Sequence, residues 1–168
     1  SGFYSKGTDI IDWVYPTAES KKYQAMNIGK LDNMGYSVDA ALHLQELLPK
    51  FFITRIKAGY AFIHQKHSTD GDVFGSLYAL EYLRHKATLQ LDHRIWRQLT
   101  ASWALRWQER MNGYHPYTKV DVRLQWSAPT YNIYVKADNI TNHHYYDLGN
   151  VKQPGIWVMA GASVKLKF

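Results

Sequence analysis

Apolar and polar residues alternate along most of this chain with a period of two, the mark of strands that carry one apolar and one polar face. From residue 36 to 44, Tyr36, Val38, Ala40, Leu42 and Leu44 share a face, opposed by Ser37, Asp39, Ala41 and His43. Phe52, Ile56, Ala58, Tyr60 and Phe62 then oppose Ile53, Arg55, Lys57, Gly59 and Ala61, with Thr54 the one polar intruder on the apolar side. The pattern returns on Ala87, Leu89 and Leu91, on the odd positions from Leu99 to Trp107, and on the even positions from Val120 to Trp126. It closes on the odd positions from Tyr131 to Ala137 and the even positions from Ile156 to Phe168. With a first strand near Asp9 to Tyr15, the chain is expected to hold eight antiparallel strands. No helical period of comparable length competes.

The connections have their own regularity. Pro49-Lys50, Arg97-Gln98 and Pro129-Thr130 are expected tight turns, whereas the stretches near 16–25, 68–80, 112–116 and 140–154 are mostly longer and rich in Gly, Pro, Asn, Asp and Tyr. Short and long connections take turns, which puts every tight turn at one end of the strands. No linker, domain boundary or repeat beyond the hairpins interrupts this, so residues 1–168 are expected to form one all-β, up-and-down meander.

Alternation alone does not say which face meets the solvent. A water-soluble barrel hides its apolar face, and a transmembrane barrel shows it to lipid. The aromatic positions favour lipid. Phe51, Phe52, Trp96, Trp126, Tyr131 and Phe168 fall near the tight-turn end, and Trp13, Tyr15, Trp107 and Tyr117 near the loop end. Two such rows match the girdles that amphipathic rings form at both water–lipid boundaries. The segregation of short turns from long loops points the same way.

Composition narrows the classes further. Aromatic residues make up 15% of the chain, with 13 Tyr and 6 Trp, although mean hydropathy is negative. No apolar run reaches about 18 residues, which excludes a transmembrane helix and leaves a barrel open, since barrel strands need only about 9–11 residues. The net charge of +6 is spread along the chain without a basic block, so no nucleic-acid partner is expected. Cysteine is absent, which removes disulfides, thiolate metal sites and cysteine nucleophiles. Residues 1–15 lack the pattern of a signal peptide, so the chain is expected to be mature or a piece of a longer one. Gly-x-Ser-x-Gly, His-Glu-x-x-His and phosphate-binding glycine loops are all missing. Because small outer-membrane barrels include proteases and acyltransferases, an enzyme stays an alternative class. It would need Ser, His and Asp converging near the loop ends, and no convincing set assembles.

The terminal run "VKADNITNHHYYDLGNVKQPGIWVMAGASVKLKF" resembles the C-terminal end of TonB-dependent outer-membrane receptors. The matching positions are Asn139, Thr141, Asn142, Tyr145, Pro154, Gly155 and Phe168. "FYSKGTDIIDWV" and "NIGKLDNMGYSVDAAL" also resemble strands of that family, in its cobalamin and siderophore branch. One departure is Ile156, where the family often has Arg.

The resemblance implies a Gram-negative outer-membrane location and a part of a 22-stranded barrel, about its last third. The earlier strands, the plug and the TonB-interacting segment would then be parts of the receptor outside residues 1–168. It implies outer-membrane lipid and the rest of the barrel as partners, TonB through the missing N-terminal part, and the barrel-assembly machinery through Phe168. The cargo would be a scarce nutrient such as cobalamin, an iron-siderophore or haem, with no resident cofactor or metal and no catalysis. Loop residues Tyr78, Tyr114, His115, His143, His144, Tyr145 and Tyr146 are the candidate ligand contacts, because Tyr and His offer flat faces with hydrogen-bonding tips. His64 and His67 lie on opposite faces of one strand and cannot ligate together, whereas the adjacent His143 and His144 could reach a haem or metal. A self-closed eight-stranded barrel with a structural or adhesive role is the third reading.

Overall fold

The computed structural model describes all residues except 16, 18, 21, 69–74, 77–82, 112–114, 148–150 and 166–168. Candidates Tyr78, Tyr114 and Phe168 therefore lie outside the described residues. The chain forms strands β1 (Gly2–Gly7), β2 (Ile11–Tyr15), β3 (Gln24–Asn27) and β4 (Lys30–Leu42), one helical turn α1 (Leu44–Leu47), and strands β5 (Ile53–Ser68) and β6 (Gly75–Ser76). The rest are β7 (Leu83–Trp96), β8 (Leu99–Arg110), β9 (Tyr117–Ser127), β10 (Tyr131–Asp138) and β11 (Trp157–Val164). Eight of them make one antiparallel sheet in the order β1-β4-β5-β7-β8-β9-β10-β11, and β3-β2-β6 make a second, small sheet. The expected all-β meander is what forms. Among the described residues β1 and β11 do not pair with each other, so the large sheet has two open edges.

The strand count holds, but the first strand is misplaced by the alternation rule. The wall strand is Gly2–Gly7, in register with Leu31–Tyr36 of β4, while Ile11–Tyr15 leaves the wall for the small sheet. Phe3 and Tyr4 are adjacent, which hides the period of two in β1. Asp9 turns the chain away with a φ of 56°, and the Ile28 amide then donates to the Ile10 carbonyl at 2.7 Å and the Ile10 amide to the Gly29 carbonyl at 3.4 Å, which starts the small sheet. Val14, Ile28 and Leu31 form its buried core, with Ile10 and Met26 against it. Trp13 and Tyr15 accordingly belong to the small sheet and not to the wall.

Two of the three expected tight turns form as such. Arg97-Gln98 links β7 to β8 with Arg97 at a φ of 41°, and Ala128 to Thr130 link β9 to β10. Pro49-Lys50 is different: it sits in a longer connection from His43 to Phe52 that contains α1. The residues Leu44, Leu47, Leu48 and Phe51 follow helical spacing there, a signal too short to register against the long strand pattern.

Exposure separates the faces of the large sheet in the sense opposite to a water-soluble protein. Val38 is 62% exposed, Ile133 49% and Leu124 43%, whereas the side chain of Lys119 on the polar face is only 16% exposed. The polar side chains are the longer ones and yet the more enclosed, which makes theirs the inner, concave face. There they pair with one another: Arg55 with Asp92 across the ladder at 2.7 Å, and along β9 Lys119 with Asp121 at 3.3 Å and Arg123 with Gln125 at 2.9 Å. On the apolar face the imidazoles of His85 and His93 on β7 are matched by aromatic neighbours. Tyr60 Oη meets His85 Nδ1 at 2.7 Å, and Trp103 Nε1 donates to His93 Nε2 at 3.1 Å. Pairing of this kind is what an unhydrated surface demands.

Strand length fits the same picture. β5 has 16 residues, more than the roughly 9–11 that span a bilayer, and the surplus at its loop end carries Lys66, His67 and Ser68.

Gly161 shows how tightly the inner face is filled. A Cβ there would stand 2.6 Å from the ring of Tyr134, and that ring lies 4.0 Å beneath the Arg123 guanidinium. Gly161→Val is expected to displace the ring and cost about 1–3 kcal/mol. The check is the temperature at which the full-length protein loses its fast-migrating folded band on an unheated gel, which should fall.

Candidate functional site

The last loop, between β10 and β11, is built around one buried side chain. Asn139 is 1% exposed and adopts a φ of 52°, a left-handed conformation that Asn tolerates better than most residues. Its Nδ2 donates to the carbonyls of His143 (2.9 Å) and Pro154 (3.3 Å), and its Oδ1 accepts from the His143 amide (3.0 Å) and the Thr141 hydroxyl (3.3 Å). All four of its hydrogen-bonding positions are used. Its backbone amide also donates to Asp121 on β9 at 2.7 Å, tying the loop to the wall. Asn142, at a φ of 50°, accepts from the Ile156 amide at 3.0 Å. A side chain at Gly155 would collide with the Asn142 amide oxygen.

Asn139, Thr141, Asn142, Pro154 and Gly155 therefore form a clasp that joins the two ends of the loop. They order the loop through its backbone. The departure at Ile156 is harmless to the clasp, because the contact there uses only a backbone N–H.

The clasp sets Tyr145 and its neighbours over the loop end of the inner face. Tyr145 is buried, its ring centroid 4.4 Å from that of Tyr117, and the His143 ring stacks 6.4 Å from Tyr117 on a nearly parallel plane. Arg106 lies 5.8 Å from the centroids of both tyrosines. Asp147 gathers the rest: Tyr117 Oη donates to Oδ1 at 2.5 Å, Gln108 Nε2 to the same atom at 2.9 Å, and Arg106 Nη2 stands 3.5 Å from Oδ2. Arg110 on β8 donates to the Tyr146 carbonyl at 3.4 Å, and Tyr146 bridges to Lys152 within the loop.

Of the candidate contacts, His143, Tyr145 and Tyr146 come together in this cluster. Tyr145 serves as its packed base, while His143 and Tyr146 remain exposed. His144 is exposed beside them, and His115 is exposed just before β9. Tyr117 corrects the girdle expectation: it sits on the polar face, opposite Gln108, and packs against the loop and not toward the outside. Among the described residues no group of three His, Asp or Glu side chains converges as a metal-binding set.

The residues missed by pattern reading are Arg106, Gln108 and Asp147. The first two occupy the polar face at the loop end of β8, so alternation already placed them near the site. Asp147 had no such signal. Asp147→Ala is expected to leave Tyr117 and Gln108 without their acceptor and loosen the loop by about 1–3 kcal/mol. Faster cleavage of the loop by a protease added to whole cells is the readout, with Asp147→Asn, which keeps an acceptor oxygen, closer to wild type.

Chemically the site offers an exposed imidazole pair, aromatic faces and a guanidinium held near them. No family model matches the chain, and no curated protein matches it. The fold of a solved structure, the copper transporter OprC, matches with a TM-score of 0.66 at 15% identity, over 96% of this chain. The chain spans 27% of the length of that structure's chain. At that identity the likeness is one of fold. It agrees with the two-faced meander in making this an all-β sheet of the transmembrane-barrel kind.

Proposed function

We propose that residues 1–168 are a wall segment of an outer-membrane receptor for TonB-dependent uptake of a scarce nutrient. The observation that carries this reading is the inverted exposure of the sheet, apolar outside and charged within. Its open edges support it too: strand edges at lipid depth need partners, which the remaining strands of a larger barrel would provide. The likeness to a copper transporter supports transport over catalysis. The exposed His143 and Tyr146 of the cluster, with the exposed loop residues His144 and His115, would face the cargo, whose class is a metal ion or a metal-bearing chelate such as cobalamin, an iron-siderophore or haem. A plug and TonB supply the moving parts, and Phe168 the signal for barrel assembly.

The test is uptake by cells lacking the full-length receptor, supplied in turn with copper, cobalamin, iron-siderophores and haem. One of these is expected to depend on both the receptor and TonB. Uptake of all of them at wild-type rates, under limitation for each, would contradict the proposal. Residues 1–168 produced alone should not restore uptake.

A further inference from the structure

The connection from His43 to Phe52 does not fit its position. At the same end of the sheet the other hairpins close through Arg97-Gln98 and through Ala128 to Thr130, yet here the chain makes a projecting hook with one helical turn. The hook is apolar where a solvent-facing turn should be polar. Leu47 is 65% exposed, Phe52 57%, Leu48 53% and Phe51 39%. Leu44, Leu47, Leu48 and Phe51 stand at helical spacing on one side, with Gln45, Glu46 and Lys50 on the other. Leu47, Leu48, Pro49, Lys50 and Phe51 line an open recess of about 490 Å³.

The hook is held in place by backbone. The Leu48 amide donates to the Leu44 carbonyl at 2.7 Å, the Phe51 amide to Leu48 at 2.9 Å, and the Arg94 amide of β7 to Phe52 at 2.7 Å. Its apolar side is continuous with the outer face of the sheet. Leu42, the last residue of β4, is exposed on that face, and the Phe52 ring meets His93 edge-on at 6.4 Å between centroids. Phe51 and Phe52 are 4.9 Å apart, and Trp96 and Trp126 extend the aromatic row along the same end.

We propose that this hook is an interfacial anchor whose apolar stripe inserts into the phospholipid of the periplasmic leaflet, with an acyl chain in the recess. It rests on the membrane-barrel reading above. Lipid is the occupant because the stripe extends the lipid-facing surface without a break, and because amphipathic turns rich in Leu and Phe bury their apolar side at the headgroup boundary. Lys50, at the rim of the recess, then lies at phosphate level. The hook would fix the depth and tilt of β4 and β5, the strands it joins.

The experiment uses the full-length receptor in phospholipid vesicles, with native cysteines replaced and one environment-sensitive fluorophore at Leu47→Cys. Parallel labels stand at Leu124→Cys on the outer face, at Arg97→Cys on a tight turn, and at Leu48→Cys as a second hook position. Folding of each is verified by mobility on an unheated gel. The expected result is loss of emission at Leu47 and Leu48 with lipids brominated near the top of the acyl chain, and little loss with aqueous iodide; Arg97 should show the reverse. If the hook labels respond to iodide as Arg97 does while Leu124 responds to bromolipid, the anchor is overturned and the barrel reading stands. Hook labels shielded from both quenchers would mean that protein, a second copy or another partner, covers the hook, which also overturns it. No bromolipid response at Leu124 would sink the barrel reading and the anchor together.

Discussion

Asn139→Ala is expected to open the last loop more than any other single truncation in the chain. The substitution strips two donors and one twice-used acceptor from a site that is 1% exposed. It leaves the Pro154 carbonyl and both backbone groups of His143 without this partner. At about 1 kcal/mol per lost bond, three backbone partners amount to roughly 3 kcal/mol. Alanine must also hold the left-handed conformation, at a further cost of about 1–2 kcal/mol. A global melting curve would blur this local change, so the readout is hydrogen exchange at the amides of His143 and Ile156. A local loss of about 4–5 kcal/mol in all corresponds to exchange faster by roughly a thousandfold or more. Asn139→Gly should be milder, because glycine adopts the backbone conformation freely but still lacks the side chain. Unchanged exchange in Asn139→Ala would show that the clasp does not hold the loop.

That clasp also marks where sequence reading succeeds and where it stops. The period-two pattern located the wall strands from β4 to β11 because each must present one face to hydrocarbon and one to water, a constraint that leaves its imprint on every second residue. It failed at β1, where Phe3 on the inner face breaks the alternation and sits opposite Gly35. It also misjudged Ile11–Tyr15, whose alternation is real but serves the small core of Val14, Ile28 and Leu31 instead of the wall. Periodicity reports two-sidedness and is silent on which sheet a strand joins.

The candidate site was legible in part for a similar reason. His143, Tyr145 and Tyr146 stood out as aromatic and imidazole groups in a long loop, and three-dimensional contact does bring them together. That Tyr145 would be buried was invisible, since burial depends on Tyr117 and Arg106 arriving from β9 and β8. The motif Asn139-x-Thr141-Asn142 was visible as a resemblance, and its physical meaning came only with the hydrogen bonds.

Leu105→Arg is the substitution that best separates a lipid-facing sheet from one that merely shows apolar residues to water. Leu105 is 38% exposed near the middle of β8, flanked by Leu89 and Val120 on the neighbouring strands. In a bilayer a guanidinium at that depth costs about 2–4 kcal/mol, against 0–1 kcal/mol near the interfaces. In water the same change would be neutral or would improve solubility, so the two environments predict different outcomes. Ala104→Arg, one residue earlier, points to the inner face opposite Gln90 and Asp121, and the new guanidinium has a carboxylate within reach. The folded fraction of full-length protein recovered from outer membranes should drop severalfold for Leu105→Arg and stay near wild type for Ala104→Arg. Equal tolerance of both, or damage only from Ala104→Arg, would reverse the assignment of faces and with it the lumen in which His143, Tyr146 and Arg106 would meet the cargo.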